Sequence, residues 1–498
     1  MNEKNEFTAT LGLLDSTTIV IGSMIGSGIF IVSSDMARIL GSPGWLLIAW
    51  IVTGIVTVVA ALSYGELASM MPRAGGQYVY LKEAYNPMMG FLYGWTLFAV
   101  IQTGTIAAVA IAFAKFTGVI FSWCSPDIWI FKIGTFCPYH LPFGIMGPYH
   151  VGLNNQNLIA IISLFILTLV NARGLKGAKT VQNIFTFAKT LSLAGLILLG
   201  IFVGKNAEAI AANFSNFWTT QWSTSPLSTP GIGLSGFALL SALGAAMVGS
   251  LFSSDAWNNI TFTAGEVKDP KRTIPLSLVT GTLTVTIIYV IANITYLLVI
   301  PLHGNPDGVT SAERGMQFAL QDRVGVAASS MVFGESAAVI MALLIMISTF
   351  GCNNGLILAG ARVYYAMAKD KLFFPGAASL NKFNVPQKGL FIQATWASVL
   401  CLTGTYNDML DYVIFAVMMF YILTIGAIFI LRRRKPNAER PYKAFGYPIL
   451  PAIYILFAIA FCVNLLLIKP QFTWPGLIIV LTGVPIYFLW LKKTKGNK

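Results

Sequence analysis

Charge is scarce in this sequence. Only 10% of its 498 residues are Asp, Glu, Lys or Arg, whereas soluble domains carry about a quarter. Histidine is scarcer still, at His140, His150 and His303 only. No two of them have metal-ligand spacing on one helix, and neither HExxH nor GxSxG occurs. A metal site, a cofactor and an intramembrane hydrolase are therefore not expected, and the chain does not read as an enzyme. Of five cysteines, Cys352, Cys401 and Cys462 fall in apolar stretches and read as inert packing residues. Cys124 and Cys137 share one long connection, where a disulfide stays an open alternative.

Apolar residues are abundant instead. They make up 56% of the chain, and the mean hydropathy is +0.72. Twelve stretches are long enough to cross a hydrocarbon core, which takes roughly 20 apolar residues. They lie near 16–34, 44–65, 88–114, 156–172, 180–204, 231–254, 274–302, 336–361, 389–407, 412–431, 444–468 and 470–491. Backbone in lipid must satisfy its own hydrogen bonds, so each is expected to be a helix. The sequence predicts an all-α membrane protein of twelve spans, with the lipid bilayer as its solvent.

A net charge of +13 raises the question of nucleic acid. Its distribution answers otherwise. With the N-terminus inside, the alternate connections and both tails hold 24 of the 32 Lys and Arg. Arg38, Lys115, Lys132, Lys205, Arg314, Arg323 and Lys469 fall on the other side, and Lys189 lies within a span. This is the positive-inside pattern. It predicts both termini in the cytoplasm and a multi-pass protein of the plasma (inner) membrane. The lead MNEKNEF has mixed charge and no small-residue cleavage site follows, so the first span reads as retained.

Three ionisable residues stand out against these spans. Glu66 closes the second, in SYGELASMMPRAGG, and reads as solvated at the cytoplasmic surface. Lys189 lies inside the fifth, with about nine residues before it from Thr180, or roughly 13 Å at 1.5 Å per residue. That depth is too great for comfortable snorkelling, so Lys189 reads as a buried functional lysine. Asp255 follows the sixth span in SLFSSDAWNN. Ser253, Ser254 and Asp255 are all good N-caps, so Asp255 reads first as the cap of a half-helix restarting at Trp257 and second as a ligand contact.

The first and sixth spans are both interrupted. IGSMIGSGIF (21–30) packs three glycines and two serines into ten positions, although glycine costs about 1 kcal/mol relative to alanine in a helix. Gly22 and Gly26 also form a GxxxG packing motif. The sixth span breaks at Gly249, Ser250, Ser253, Ser254 and Asp255. The two interruptions correspond if the first ten spans form two repeats of five. Paired interruptions of this kind point to a transporter site at the midplane. The freed amides of a half-helix suit an anionic group of carboxylate size.

The motifs in order resemble the amino acid–polyamine–organocation superfamily, and within it the L-type amino acid transporters and their bacterial relatives. They are MIGSGIF (24–30), GSPGWLLIAW (41–50), LSYGELASMMPRAGGQYVYLKEAY (62–85), VQNIFTFAK (181–189), LFSSDAWNNITFTAGEVKDPKRTIP (251–275), FGCNNG (350–355) and RRKPNAERPYK (433–443).

The resemblance implies a leucine-transporter-type 5+5 inverted repeat with discontinuous spans one and six. Repeat one would run over about 12–204 and repeat two over about 231–432, with two extra helices at about 444–491. It implies that Met24, Gly26, Ser27 and Gly28 line the first break and hold a substrate carboxylate. Phe252, Ser253 and Asp255 would line the second, whose carbonyls take the α-ammonium, and Phe252 would be an aromatic gate. Asn258 and Asn354 would be polar supports. Lys189 would occupy the place that sodium takes in sodium-coupled relatives, which raises H+ coupling.

The implied function is secondary amino acid transport, by exchange or proton symport, with polyamine or cationic amino acid antiport as the alternative. Asp255 stands where eukaryotic L-type relatives have glycine. Cys124 falls near the cysteine that tethers those relatives to a heavy chain. The loop after it is longer here and adds Cys137, so a heavy-chain partner is not expected.

Overall fold

The structure, a computed structural model, describes residues 9–136, 139–141, 144–146, 149–174, 178–403 and 406–496. The chain enters through α1 (Leu13–Met24), a short 3-10 turn at Gly28–Phe30, and α2 (Val32–Leu40). There follow α3 (Pro43–Met70), α4 (Gln77–Ala84), α5 (Pro87–Thr96) and α6 (Gln102–Ile120). A π-helical turn at Leu97–Ile101 joins α5 to α6. Next come α7 (Asn155–Ala172), α8 (Ala178–Phe202), α9 (Ala207–Ser215), α10 (Gly236–Ser253), α11 (Asn259–Phe262) and α12 (Pro270–Val299). The last third holds α13 (Ser311–Arg314), α14 (Val324–Phe333), α15 (Glu335–Lys369), α16 (Gln387–Cys401), α17 (Tyr406–Arg434), α18 (Ile449–Ile468) and α19 (Pro470–Gly496).

Among the described residues, ten helices are long and apolar enough to cross a membrane. They match ten of the twelve expected spans. The other two are the first, split between α1 and α2, and the ninth, which is the 15-residue α16. The first was expected to end near Ser34 because Asp35 and Arg38 follow. The helix continues to Leu40 because those charges pair: Arg38 reaches Asp35 at 3.1 Å and Asp322 at 2.6 Å.

The fold is all-helical as expected, apart from one connection. The connection from α6 to α7 forms β1 (Trp129–Phe136), β2 (Tyr139–Leu141), β3 (Gly144–Met146) and β4 (Tyr149–Asn154). β1 pairs antiparallel with β4, and β2 with β3. The β2–β3 pair is nested in sequence within the β1–β4 pair, so these strands bond one another without adding to the helical layer.

Local chemistry sets several helix starts. Ser42 caps α3 from in front of Pro43, accepting from Trp45 N at 3.4 Å. Asn86 caps α5 in front of Pro87 at 2.9 Å, and Asn154 caps α7 at 2.7 Å. Each supplies an acceptor to an amide that has no partner within its helix. Large apolar side chains point outward along the rim, among them Leu191, Phe202, Phe237, Leu456, Leu467 and Phe488. In water such a surface would be unstable; against lipid it is the expected face. Inside, α1 packs against α8, α12 and α15, and α10 against α2, α3 and α17, so both broken spans lie at the centre.

Candidate functional site

α1 ends with three carbonyls aimed at side chains from three other helices. Lys189 Nζ on α8 donates to Gly22 O. Cys352 Sγ on α15 donates to Ser23 O at 3.4 Å. Tyr289 Oη on α12 donates to Met24 O at 2.9 Å. The last carbonyls of a helix lack partners within it and carry partial negative charge. A buried ammonium there is therefore well matched, and Lys189 is fully buried.

Beyond Ile25 the backbone leaves the helix. Phe30 N bonds Ser27 O and Ile31 N bonds Gly28 O, forming the 3-10 turn. The amides of Gly26, Ser27 and Gly28 make no hydrogen bond among the described residues. Three donors are thus left bare at one point, with Gly26 and Gly28 bringing no side chain to cover them.

The second break follows Ser253. Ala256 adopts a positive φ of 64°, and helical structure restarts at Asn259 rather than at Trp257. Asp255 does not cap that restart; the N-cap position is Asn258. Its Oδ1 instead accepts from Tyr421 Oη on α17 at 2.6 Å. Asn258 Nδ2 donates to Gln77 Oε1 at 3.3 Å, and Gln77 Nε2 to Thr424 Oγ1 at 2.8 Å. The break is held by side chains across the bundle.

The two breaks touch. A Cβ on Gly28 would come within 2.7 Å of Ser253 Cβ and 3.0 Å of its Cα, so only glycine fits there. Tyr289 Oη also lies 3.2 Å from Ser253 O, so its single proton is shared between carbonyls of both segments. Tyr296 Oη, from the same helix, donates to Ile29 O at 3.2 Å. Phe252 packs edge-on against Tyr406, with centroids 6.0 Å apart. Tyr406 Oη lies 3.1 Å from Ser27 Oγ.

Met24, Gly26, Ser27, Gly28, Phe252, Ser253 and Lys189 thus surround one region, with Asp255 and Asn258 on its side nearer α11. Asn354 is buried on α15, two residues beyond Cys352, and no hydrogen bond joins it to the others. Sequence reasoning missed Tyr289, Tyr406, Tyr421, Gln77 and Cys352. For Tyr289, Tyr421 and Cys352 the signal was a polar atom inside an otherwise apolar run, whereas Gln77 and Tyr406 lie in mixed stretches that carry none.

Residues 11–490 match the family model described as "Amino acid permease". The chain belongs to that family. It is a membrane permease and not an enzyme. The serine/threonine exchanger SteT of Bacillus subtilis (strain 168) is 28% identical over 503 residues, covering 99% of each chain. The large neutral amino acids transporter small subunit 2 of Homo sapiens is 30% identical, over 97% of this chain and 81% of that protein. The b(0,+)-type amino acid transporter 1 of Mus musculus is 27% identical, over 97% and 88%.

Two further features of this permease flank the breaks. Toward the α11 side lies a narrow cavity of about 20 Å³, room for a water molecule, lined by Gln77, Gln102, Asp255, Asn258, Asn259 and Tyr421 among others. The π-helical turn before α6 contributes Leu97 and Ile101 to its wall. Toward the α2 side lies an ion cluster. Arg38 Nη1 meets Asp322 Oδ1 at 2.6 Å, and Lys115 Nζ lies 3.8 Å from Asp322 Oδ2. The Lys115 ammonium also sits 5.7 Å from the centre of the Tyr406 ring. Burial alone would push Asp322 up, but Lys115 and Arg38 hold its carboxyl below the usual carboxylate range.

The connection carrying Cys124 bears on the disulfide. Cys124 is a free, buried thiol that donates to Ala114 O at 3.2 Å, and burial pushes it up to about 11. Cys137 lies outside the described residues. Glu66 corrects another expectation. It is buried, not solvated, because the connection from α17 to α18 folds over it. Arg432 grips it with Nε at 2.9 Å and Nη2 at 2.7 Å, and Ala444 N donates at 2.8 Å.

Proposed function

We propose that this permease is a secondary amino acid exchanger of the plasma (inner) membrane, working by alternating access. In this reading its twelve spans form the 5+5 inverted repeat, with repeats near 12–204 and 231–432 and two extra helices at 444–491. Both termini are cytoplasmic.

One observation carries the proposal: three unbonded amides, at Gly26, Ser27 and Gly28, open where the second break touches the first. A substrate carboxylate would accept from those amides. Carbonyls of the Phe252–Asp255 segment would take the α-ammonium, and Phe252 against Tyr406 would close the α2 side. Met24, Ser253, Asn258 and Asn354 would shape and support the site. Lys189 would supply a fixed cation at the end of α1, which supports exchange without a coupling ion. Exchange is also the activity in the name of the Bacillus relative. A heavy chain would not be needed, since Cys124 is buried with its thiol turned to Ala114.

Proteoliposomes test this. Loading with unlabelled amino acid should drive uptake of labelled amino acid, and a pH gradient alone should not. Uptake driven by the pH gradient into empty vesicles would instead establish H+ symport. No uptake of any amino acid under either condition would refute transport. The alternative, antiport of polyamines or cationic amino acids, rests on Asp255. It predicts that Asp255→Asn shifts preference from cationic to neutral substrates.

A further inference from the structure

The start of α16 carries an open groove that shares no lining residue with either break. Its volume is about 590 Å³, and its walls include Ser379, Leu380, Gln387, Lys388, Phe391 and Ile392. The turn in front of it is firmly built. Asn381 Oδ1 accepts from Phe383 N at 2.9 Å and Val385 N at 3.1 Å, while its Nδ2 donates to Ala172 O at 2.6 Å.

The groove is cationic at one end and apolar at the other. Lys388 is exposed and makes no ion pair among the described residues. Its stem lies along Gly376, where a Cβ would come within 3.2 Å of the lysine Cδ. Residues 370–388 hold Lys371, Lys382 and Lys388 against a single acid, Asp370. That acid is already taken by Lys82 Nζ at 2.6 Å and Tyr78 Oη at 2.7 Å. Along α16, positions four, eight and eleven after Lys388 are Ile392, Trp396 and Val399, which share its face of the helix. Ile392 is half-buried, and Trp396 and Val399 are 37% and 41% exposed. From Lys388 to Val399 is about 16 Å at 1.5 Å per residue, about one leaflet of a hydrocarbon core near 30 Å.

A cation at the mouth and an apolar stripe one leaflet long match a molecule with an anionic head and a hydrocarbon tail. A free phosphate would fill only the polar end. A zwitterionic headgroup would bring an ammonium that meets no free carboxylate here. In the orientation proposed above, this end of α16 faces the cytoplasmic leaflet, where anionic lipids meet basic pockets between helices. We propose that the groove is a binding site for an anionic phospholipid, with the phosphate on Lys388 and an acyl chain along Ile392, Trp396 and Val399. The proposal does not depend on how substrate binds at the breaks.

The purified permease in a neutral detergent tests this, because a ligand that binds the folded state raises its thermal midpoint. Phosphatidylglycerol should raise the midpoint in a saturable way, and phosphatidylcholine, inorganic phosphate and glycerol 3-phosphate should not. Lys388→Glu should shift the half-maximal phosphatidylglycerol concentration upward about tenfold or more, the scale of one lost charge-assisted hydrogen bond. Its midpoint without lipid should stay unchanged, since Lys388 is exposed and unpaired. Lys388→Arg should keep the response. Lys443→Glu, which removes an exposed cation from the α17–α18 connection, should keep it as well. Equal losses in Lys388→Glu and Lys443→Glu would overturn the site in favour of diffuse charge attraction. A response to phosphate or glycerol 3-phosphate equal to that of the lipid would overturn the acyl-chain assignment, and no response to phosphatidylglycerol would overturn the whole proposal.

Discussion

The hydroxyls of Ser27 and Tyr406 lie 3.1 Å apart, joining the first break to the start of α17. The same tyrosine ring meets Phe252 on one side and the Lys115 ammonium on another. One residue therefore touches both breaks and the ion cluster beyond them. Tyr406→Phe keeps the ring packing and removes the hydroxyl. Loss of a single neutral hydrogen bond changes an equilibrium by about two- to tenfold. Substrate KM in exchange assays should move by that much with folding intact, while Tyr406→Ala, which also frees Phe252, should do far worse.

Gly28 and Gly26 make a sharper pair. Any Cβ at 28 runs into Ser253, including its backbone, whereas a Cβ at 26 meets the Cys352 sulfur at 3.2 Å. A thiol can shift by a few tenths of an ångström; a packed backbone cannot. Gly28→Ala should reduce exchange on the order of 100-fold, the upper range of overpacking, and Gly26→Ala much less. Equal losses in initial-rate uptake would argue against the close contact of the breaks.

The central breaks could be read from residue types alone, because glycine and serine inside apolar runs have few other uses. The partners that hold them could not. Nothing local to Tyr289 says that it bridges Met24 and Ser253, residues 265 and 36 positions away. Asp255 looked like a cap because short polar residues cap helices locally; a tyrosine on α17 claims it instead. Arg38 looked like the end of a span because its partner, Asp322, lies 284 positions on. Lys189 was legible as buried, since depth follows from counting residues, but its acceptor on α1 was not. Of the strands between α6 and α7, β2 and β3 have three residues each and β1 (WIFKIGTF) is mostly apolar without strict alternation, so period-two patterning does not mark them.

Asp322 gives a pH prediction. Its backbone is left-handed, with φ of 61°, a conformation that Asn tolerates as well as Asp. Asp322→Asn therefore keeps the backbone and removes the charge together with one acceptor, since Arg38 and Asn407 each donate to a different Asp322 oxygen. Because Lys115 and Arg38 hold the Asp322 carboxyl below its ordinary range, the folded state favours the ionised form. Its stabilisation is fully present above an unfolded carboxylate pKa of about 4 and is lost as pH falls through the lower folded value. The unmodified permease should show no change in thermal midpoint from this group between about pH 5 and 8. Asp322→Asn should lower that midpoint across the whole window, and the deficit should shrink below about pH 4.

Glu66 tests whether the α17–α18 connection is a clasp or a decoration. An exposed ion pair contributes about 0–1 kcal/mol, whereas breaking a buried pair from one side costs about 3–5 kcal/mol. Glu66 is 1% exposed, but Arg432 is 24% exposed, so the expected loss for Glu66→Gln lies toward the lower end of the buried range. The substitution strands two guanidiniums, since Arg440 Nε also stands 3.4 Å from Glu66, and weakens the acceptor for Ala444 N. Arg432→Lys should cost less, because an ammonium keeps the charge but loses the two-pronged grip. Thermal unfolding of the purified variants decides between the two roles. A clear fall in midpoint for Glu66→Gln, larger than for Arg432→Lys, marks a buried clasp joining α3 to the end of α17. A shift within the range of surface pairs would return Glu66 to the solvated role that its position in the sequence suggested.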